Sequence, residues 1–225
     1  MMRSVGPAAG ALGAGLALWF GMATAAAEPG AGLREGMAAY ERGDHDDAAG
    51  LLAPLAEAGD ARAQYLLGRM CFYGHGLPQD SGRAATWYRR SAEQGYAPAE
   101  LAFALALDGG WGVARAPGEA VAWYRRAAIQ GVPGAMWRLA YHYRRGLGVA
   151  RDLAEAWAWF DRLAAQGEEG ALAEREWLAL VGLDETALAR ARARSDALEL
   201  AMESAALGLW IEAGPAAPET DPPPP

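Results

Sequence analysis

Small and apolar residues recur along this chain at the spacing of an amphipathic helix, in segments of nearly constant length. Within Ala61–Tyr73, a stretch free of proline and rich in helix formers, Ala63, Leu67 and Cys71 fall on one side. Gly74-His75-Gly76-Leu77-Pro78 then interrupts it. Glycine allows a positive φ at no steric cost, and Pro78 cannot continue a helix. Asp80 and Ser81 are residue types that cap a new helix. That helix is expected over about Gly82 to Gln94, with Ala84, Trp87, Tyr88 and Ala92 on one face and Gly95 as its stop.

The same pattern returns every 36 residues. Trp87, Trp123 and Trp159 keep this step, as do Gly74, Gly110 and Gly146, Gly76, Gly112 and Gly148, and Gly95, Gly131 and Gly167. Ala84, Ala120 and Ala156 follow it, and so do Ala92, Ala128 and Ala164. A fixed period of this length predicts stacked helix-turn-helix units and an all-α solenoid. Three repeats are expected, at 61–96, 97–132 and 133–168. In the second, Ala116 replaces the capping Asp, and Pro117 opens the helix, a position that tolerates proline. The third has Asp152 as its cap and Trp159-Phe160 in its second helix. Residues 28–60 read as a plainer capping repeat, with Ala48 and Ala56 in register with Ala84 and Ala92. Residues 169–210 read as C-terminal capping helices: a half repeat over Ala171–Val181, then a charged, Ala-rich helix from Leu183 to about Leu207 that shields the last core edge. The Pro-rich end, 211–225, offers nothing to bury and is expected to be disordered.

Leu67-Gly68, Gly74-His75-Gly76-Leu77, Asp80, Ala84, Trp87, Ala92 and Gly95 resemble the Sel1-like repeat, a relative of the tetratricopeptide repeat. The third repeat matches nearly as well, with Ala140 in the Gly68 slot, while Phe103-Ala104 stands for Leu-Gly in the second. The resemblance implies a right-handed α-solenoid whose first helices line a concave face, and a role in holding other proteins. Some secreted members of the family are linked to β-lactam binding or hydrolysis, but those carry a Cys pair in each repeat. Cys71 is the only cysteine here.

The N-terminus changes the picture of where this chain works. Arg3 is the only charge before Glu28, and residues 8–27 are apolar or small. Ala23-Thr24-Ala25 and Ala25-Ala26-Ala27 both suit a signal peptidase. Residues 1–27 are expected to be a signal peptide, with an uncleaved inner-membrane anchor as the alternative, since about 20 residues approach a membrane span. Cleavage would leave 19 arginines against 28 acidic residues. Every basic residue is Arg, and with abundant Ala and Gly this suggests a GC-rich bacterial genome. An acidic chain without a basic block argues against nucleic acid as partner.

Convergent chemistry is scarce. The chain has three histidines, His45, His75 and His142, and no lysine for a phosphate loop. It contains neither a Gly-X-Ser-X-Gly elbow nor a zinc-binding His or Cys pair. Asp44-His45-Asp46-Asp47 has metal-like ligands, but at a helix N-terminus acidic residues serve as caps. His75 is expected to be an exposed turn residue, Cys71 a buried unreactive thiol, and Trp87, Trp123 and Trp159 core spacers. Arg89-Arg90 and Arg125-Arg126 are expected on solvated faces beside Glu. No catalytic residue, cofactor or metal is expected.

A candidate binding surface comes from helix geometry. Opposite the inward stripe of the first helices lie Tyr65, Arg69 and Phe72, then Leu101, Leu105 and Asp108, then Trp137, Tyr141 and Arg144. Aromatic residues and Arg carry much of the energy at interfaces. The competing expectation is that these side chains pack on the flanking cap or tail. The function expected is a non-enzymatic adaptor of the periplasm or secreted space, binding a protein or peptide on the concave face. A cell-wall glycan or peptidoglycan module is the alternative, and a hydrolase of the β-lactamase-related type the second.

Overall fold

The structure, a computed structural model, describes residues 30–208. The signal peptide and the Pro-rich tail expected from sequence lie outside these residues. Among these residues ten helices follow one another: α1 Ala31–Arg42, α2 His45–Glu57, α3 Ala61–Tyr73, α4 Ser81–Glu93, α5 Ala97–Gly109, α6 Pro117–Ile129, α7 Pro133–Arg145, α8 Leu153–Ala165, α9 Glu169–Val181 and α10 Glu185–Ala206. From α1 to α9 each helix packs on the next, giving the right-handed α-solenoid.

Local chemistry sets the boundaries. Asp80 accepts from the Arg83 amide at 2.9 Å, and Asp152 from the Ala154 and Glu155 amides at 3.0 Å. Ala116 cannot, and there Pro117 starts the helix without a side-chain cap. Asp44 opens α2 but does not cap it; its carboxylate takes Arg42 instead, at 2.9 Å. The turn after each first helix closes in the same way three times. The amides of Asp80, Ala116 and Asp152 donate to the carbonyls of Cys71, Leu107 and Tyr143, at 2.8 to 3.0 Å.

The turn glycines also let the repeats approach. A Cβ on Gly76 would sit 2.3 Å from the His45 carbonyl oxygen, and one on Gly112 would sit 2.1 Å from that of Ser81. On Gly148 it would meet the Pro117 carbonyl carbon at 2.4 Å. His45, Ser81 and Pro117 each begin the second helix of the preceding repeat. The second glycine of every turn is therefore a backbone-to-backbone contact between repeats.

Ala63, Leu67 and Cys71 are buried as expected, but the large ring at the centre of each repeat is the residue after the tryptophan. Tyr88, Tyr124 and Phe160 are buried, whereas Trp87 and Trp123 are half-buried. One residue turns the helix by about 100°, which takes the Trp to the rim. There Arg90 lies 4.9 Å over the Trp87 ring and Arg126 lies 4.4 Å over that of Trp123. In the first repeat Gly68 makes room for the deeper ring, since a Cβ there would touch Tyr88 at 2.7 Å; Ala104 and Ala140 fill the same slot in the other two. Only Trp159 of the three is fully buried, and α10 accounts for the difference. Ala158 is buried while its counterparts Thr86 and Ala122 are exposed. Over this side of α8, Ser195 donates to Asp161 at 2.7 Å, and Arg194 pairs with Asp152 at 2.7 Å.

The C-terminal cap thus differs from the expectation. α10 packs on α8 and touches α6, and does not cover the end of the stack. Arg175 and Glu176 explain this, because they occupy the slots that Leu139 and Ala140 fill in α7. A helix pairing normally with α9 would have to bury both charges, which is costly. Arg175 instead pairs with Asp161 at 2.8 Å.

Arg125 and Arg126 do more than face solvent. Arg126 pairs with fully buried Glu100 at 2.8 Å, and Arg125 reaches Tyr143 and Glu155 at 2.5 and 3.0 Å. Arg89 does keep to the exposed face, paired with Glu93 at 2.8 Å. Gln130 also donates to Glu100, at 2.7 Å. Burial nevertheless pushes the Glu100 carboxyl above its ordinary value, against the pull of Arg126 and Gln130. A carboxyl raised by folding stabilises fully below its unfolded pKa, and that contribution is lost as pH rises through the folded one. Glu100→Gln keeps an acceptor for Gln130 and cannot ionise. It is expected to gain stability relative to wild type between about pH 4 and about pH 7. Urea denaturation at both values measures this; a gap independent of pH would refute it.

Candidate functional site

The first helices place the expected residues on one side of the solenoid. Tyr65, Arg69 and Phe72 stand on α3, Leu101 and Leu105 on α5, and Trp137, Tyr141 and Arg144 on α7. Trp137 is exposed and the other seven are half-buried. The structure gathers them into two groups. Tyr65, Arg69, Phe72, Leu101 and Leu105 line a single pocket of about 170 Å³, together with Tyr73, Tyr88, Pro98, Ala102, Ala106 and Trp111. The Trp111 ring lies 5.7 Å from that of Phe72. Trp137, Tyr141 and Arg144 lie outside this pocket. Trp137 stands edge-on to Phe160 at 5.4 Å, and Arg144 forms an ion pair with Glu174 of α9. The third first helix thus partly fulfils the competing expectation of packing on the cap.

Arg69 differs from Arg144. Its guanidinium lies 5.4 Å from the Tyr40 ring and 5.9 Å from the Tyr65 ring. Among the described residues no carboxylate pairs with it. Burial pushes the Tyr65 phenol above its ordinary value, against the pull of Arg69. Asp108, in the same register as Phe72 and Arg144, is turned to a structural task, taking Nε2 of buried His142 at 3.1 Å. The other imidazole nitrogen, Nδ1, donates to the Leu147 carbonyl at 2.8 Å.

Reasoning from sequence missed several exposed apolar residues beside this face. Tyr73 and Trp111 border the pocket and are 54% and 46% exposed. Trp177 and Leu180 of α9, also exposed, fall one period after Tyr141 and Arg144. Carrying the 36-residue step beyond residue 168 would have found the latter pair. Trp111 lies in a turn, where helix periodicity gives no signal.

A comparison with known families matches the Sel1 repeat to residues 61–96, 99–132 and 133–168. The chain carries three Sel1 repeats. Sel1 repeats are in general protein-interaction scaffolds. Among solved structures, a Sel1 repeat protein from Oxalobacter formigenes is 30% identical, with a TM-score of 0.62, covering 64% of this chain and 60% of that one. The c5321 protein, a protective antigen of uropathogenic Escherichia coli with an SLR fold, is 28% identical. Its TM-score is 0.65, over 80% of this chain and 39% of that one. The match therefore spans less than two thirds of either relative. No curated protein matches the chain.

Outside the face, His75 of the first Sel1 repeat corrects the reading of it as an exposed turn residue. It is half-buried and stacked on His45, with ring centroids 4.4 Å apart. The turn glycine contact between Gly76 and His45 brings the two rings together. Among the described residues no three His, Cys, Asp or Glu side chains gather as a metal would need. Among these residues, too, no helix is long and apolar enough to cross a membrane. Cys71 of the same Sel1 repeat is fully buried, and burial pushes its thiol above the ordinary value. It is expected to resist a thiol reagent in the native protein and to react once unfolded. Rapid labelling without denaturant would contradict its burial.

Proposed function

We propose that this chain is a non-enzymatic scaffold that binds a protein or peptide on the face lined by its first helices. What supports the reading is the pocket shared by two adjacent Sel1 repeats. Its walls combine aromatic rings, leucines and one arginine, the residue types that dominate desolvated contacts. Most of these side chains lie off the inward stripe, so they are available to a partner. The scaffold works in the periplasm or secreted space, a reading that rests on Arg3, the apolar stretch and the Ala-X-Ala order ahead of Glu28.

Crosslinking in the native envelope followed by mass spectrometry tests the proposal. The variant Phe72→Ala/Leu105→Ala/Trp111→Ala is expected to keep its helical content and lose the partners that wild type captures. Equal capture would move the binding surface elsewhere, and co-sedimentation with purified cell wall would point to glycan instead. N-terminal sequencing is expected to find Glu28 or Ala26 first; an intact Met1 in the membrane fraction would mean an anchor.

A further inference from the structure

We propose that the pocket between the first and second Sel1 repeats takes a peptide segment carrying a carboxylate next to a large apolar side chain, with the carboxylate docking on Arg69. This inference rests on the reading of the first-helix face as a peptide-binding surface, and adds which chemistry that face selects.

Charge supplies the first argument. The chain has 28 acidic residues against 20 arginines, and Arg125, Arg126, Arg144, Arg162, Arg175 and Arg194 each pair with a carboxylate. Arg69 has none among the described residues, and unlike the other arginines there without a carboxylate, which are exposed, it is half-buried on the face in question. Two tyrosine rings flank its guanidinium, which limits the rotamer freedom that binding would otherwise remove. A planar guanidinium matches a carboxylate with two parallel hydrogen bonds, so a ligand carboxylate is the natural complement. Arg144 is already neutralised by Glu174 and offers no such site.

Size supplies the second. Sites for drug-sized ligands or cofactors run to roughly 300–1,000 Å³. The space beside Arg69 is about 170 Å³, room for one large side chain. Phe72, Leu101, Leu105 and Trp111 make that room apolar. A segment pairing Asp or Glu with a neighbouring Leu, Phe or Trp satisfies both halves of the pocket at once.

Selection of random nonapeptides on the purified protein tests this. Selected peptides are expected to share an acidic residue within about two positions of a large apolar one. Changing that residue to its amide should weaken binding by about tenfold or more, as expected for losing a charge-assisted contact. Arg69→Gln is expected to abolish the difference between acid and amide peptides while still binding the amide form. Arg144→Gln should preserve the difference. Selected peptides without acidic residues, or a difference that survives Arg69→Gln, would overturn the carboxylate assignment and leave peptide binding standing. No selected peptide, or peptides that bind the Phe72→Ala/Leu105→Ala/Trp111→Ala variant as tightly as wild type, would overturn the reading of the face itself and the carboxylate assignment with it.

Discussion

Gly112→Ala is expected to destabilise the protein by at least about 3 kcal/mol. The residue has φ +73°, where a Cβ alone costs about 1–2 kcal/mol. The larger part comes from its neighbour. The new methyl would lie 2.1 Å from the Ser81 carbonyl oxygen and 2.5 Å from the Gly82 amide nitrogen. Both are backbone atoms at the start of α4, so no side chain can swing aside. Relief requires the second repeat to withdraw from the first, at the expense of the apolar contacts between α4 and α5. Gly131→Ala is the control. Its φ is +86° but its Cβ would meet nothing within 4 Å, so only the backbone cost of about 1–2 kcal/mol is expected. Chemical denaturation followed by circular dichroism compares them. Equal losses would show that the contact between repeats contributes nothing.

Trp159→Ala is expected to cost about 3–5 kcal/mol, the range for emptying a buried aromatic site. Trp159 has no exposed surface, with α8 pressed between the rest of the stack and α10. The equivalent change at Trp123 should cost clearly less. That ring is half-buried at the rim, edge-on to Phe103 at 5.5 Å and covered on one face by the Arg126 guanidinium. The same denaturation measurement decides the order. If Trp123→Ala proved as damaging as Trp159→Ala, the period would predict energy as well as position, and α10 would not be the reason for the burial of Trp159.

These two cases also mark where the sequence was legible. The period located the repeats, and Asp80, Asp152 and Pro117 located the starts of their second helices, because capping is a local property. It identified equivalent positions without showing how deep each one lies. Trp87 and Tyr88 repeat equally well, so the period alone does not say that the tyrosine lies inside and the tryptophan at the rim. Contacts that break the period were invisible for the opposite reason. Gln64, Glu100 and Met136 occupy one slot with three chemistries, so the pair of Glu100 with Arg126 has no counterpart to reveal it. The path of α10 depends on Arg175 and Glu176 being charged where earlier helices are apolar, a departure legible only once the register is carried into α9. In the candidate site, α3 and α5 supplied the expected residues to one pocket, whereas α7 was partly claimed by its ion pair to α9.

The way the repeats touch also governs how the chain can reach this fold. No side-chain hydrogen bond among the described residues joins positions more than 42 apart, the span from Arg194 to Asp152. Several bonds span 30 residues, from Ser91 to Ala61, Gln130 to Glu100 and Arg144 to Glu174. Loops of nearly equal length carry nearly equal closure entropies, so no single contact is much slower to find than another. Topologies of this kind, poor in distant contacts, fold fast. A chain emerging from its N-terminus can therefore assemble as it appears, each helix pair settling on the one before. Only α10 must turn back past its immediate neighbour to dock, and the finished stack waits on that last step.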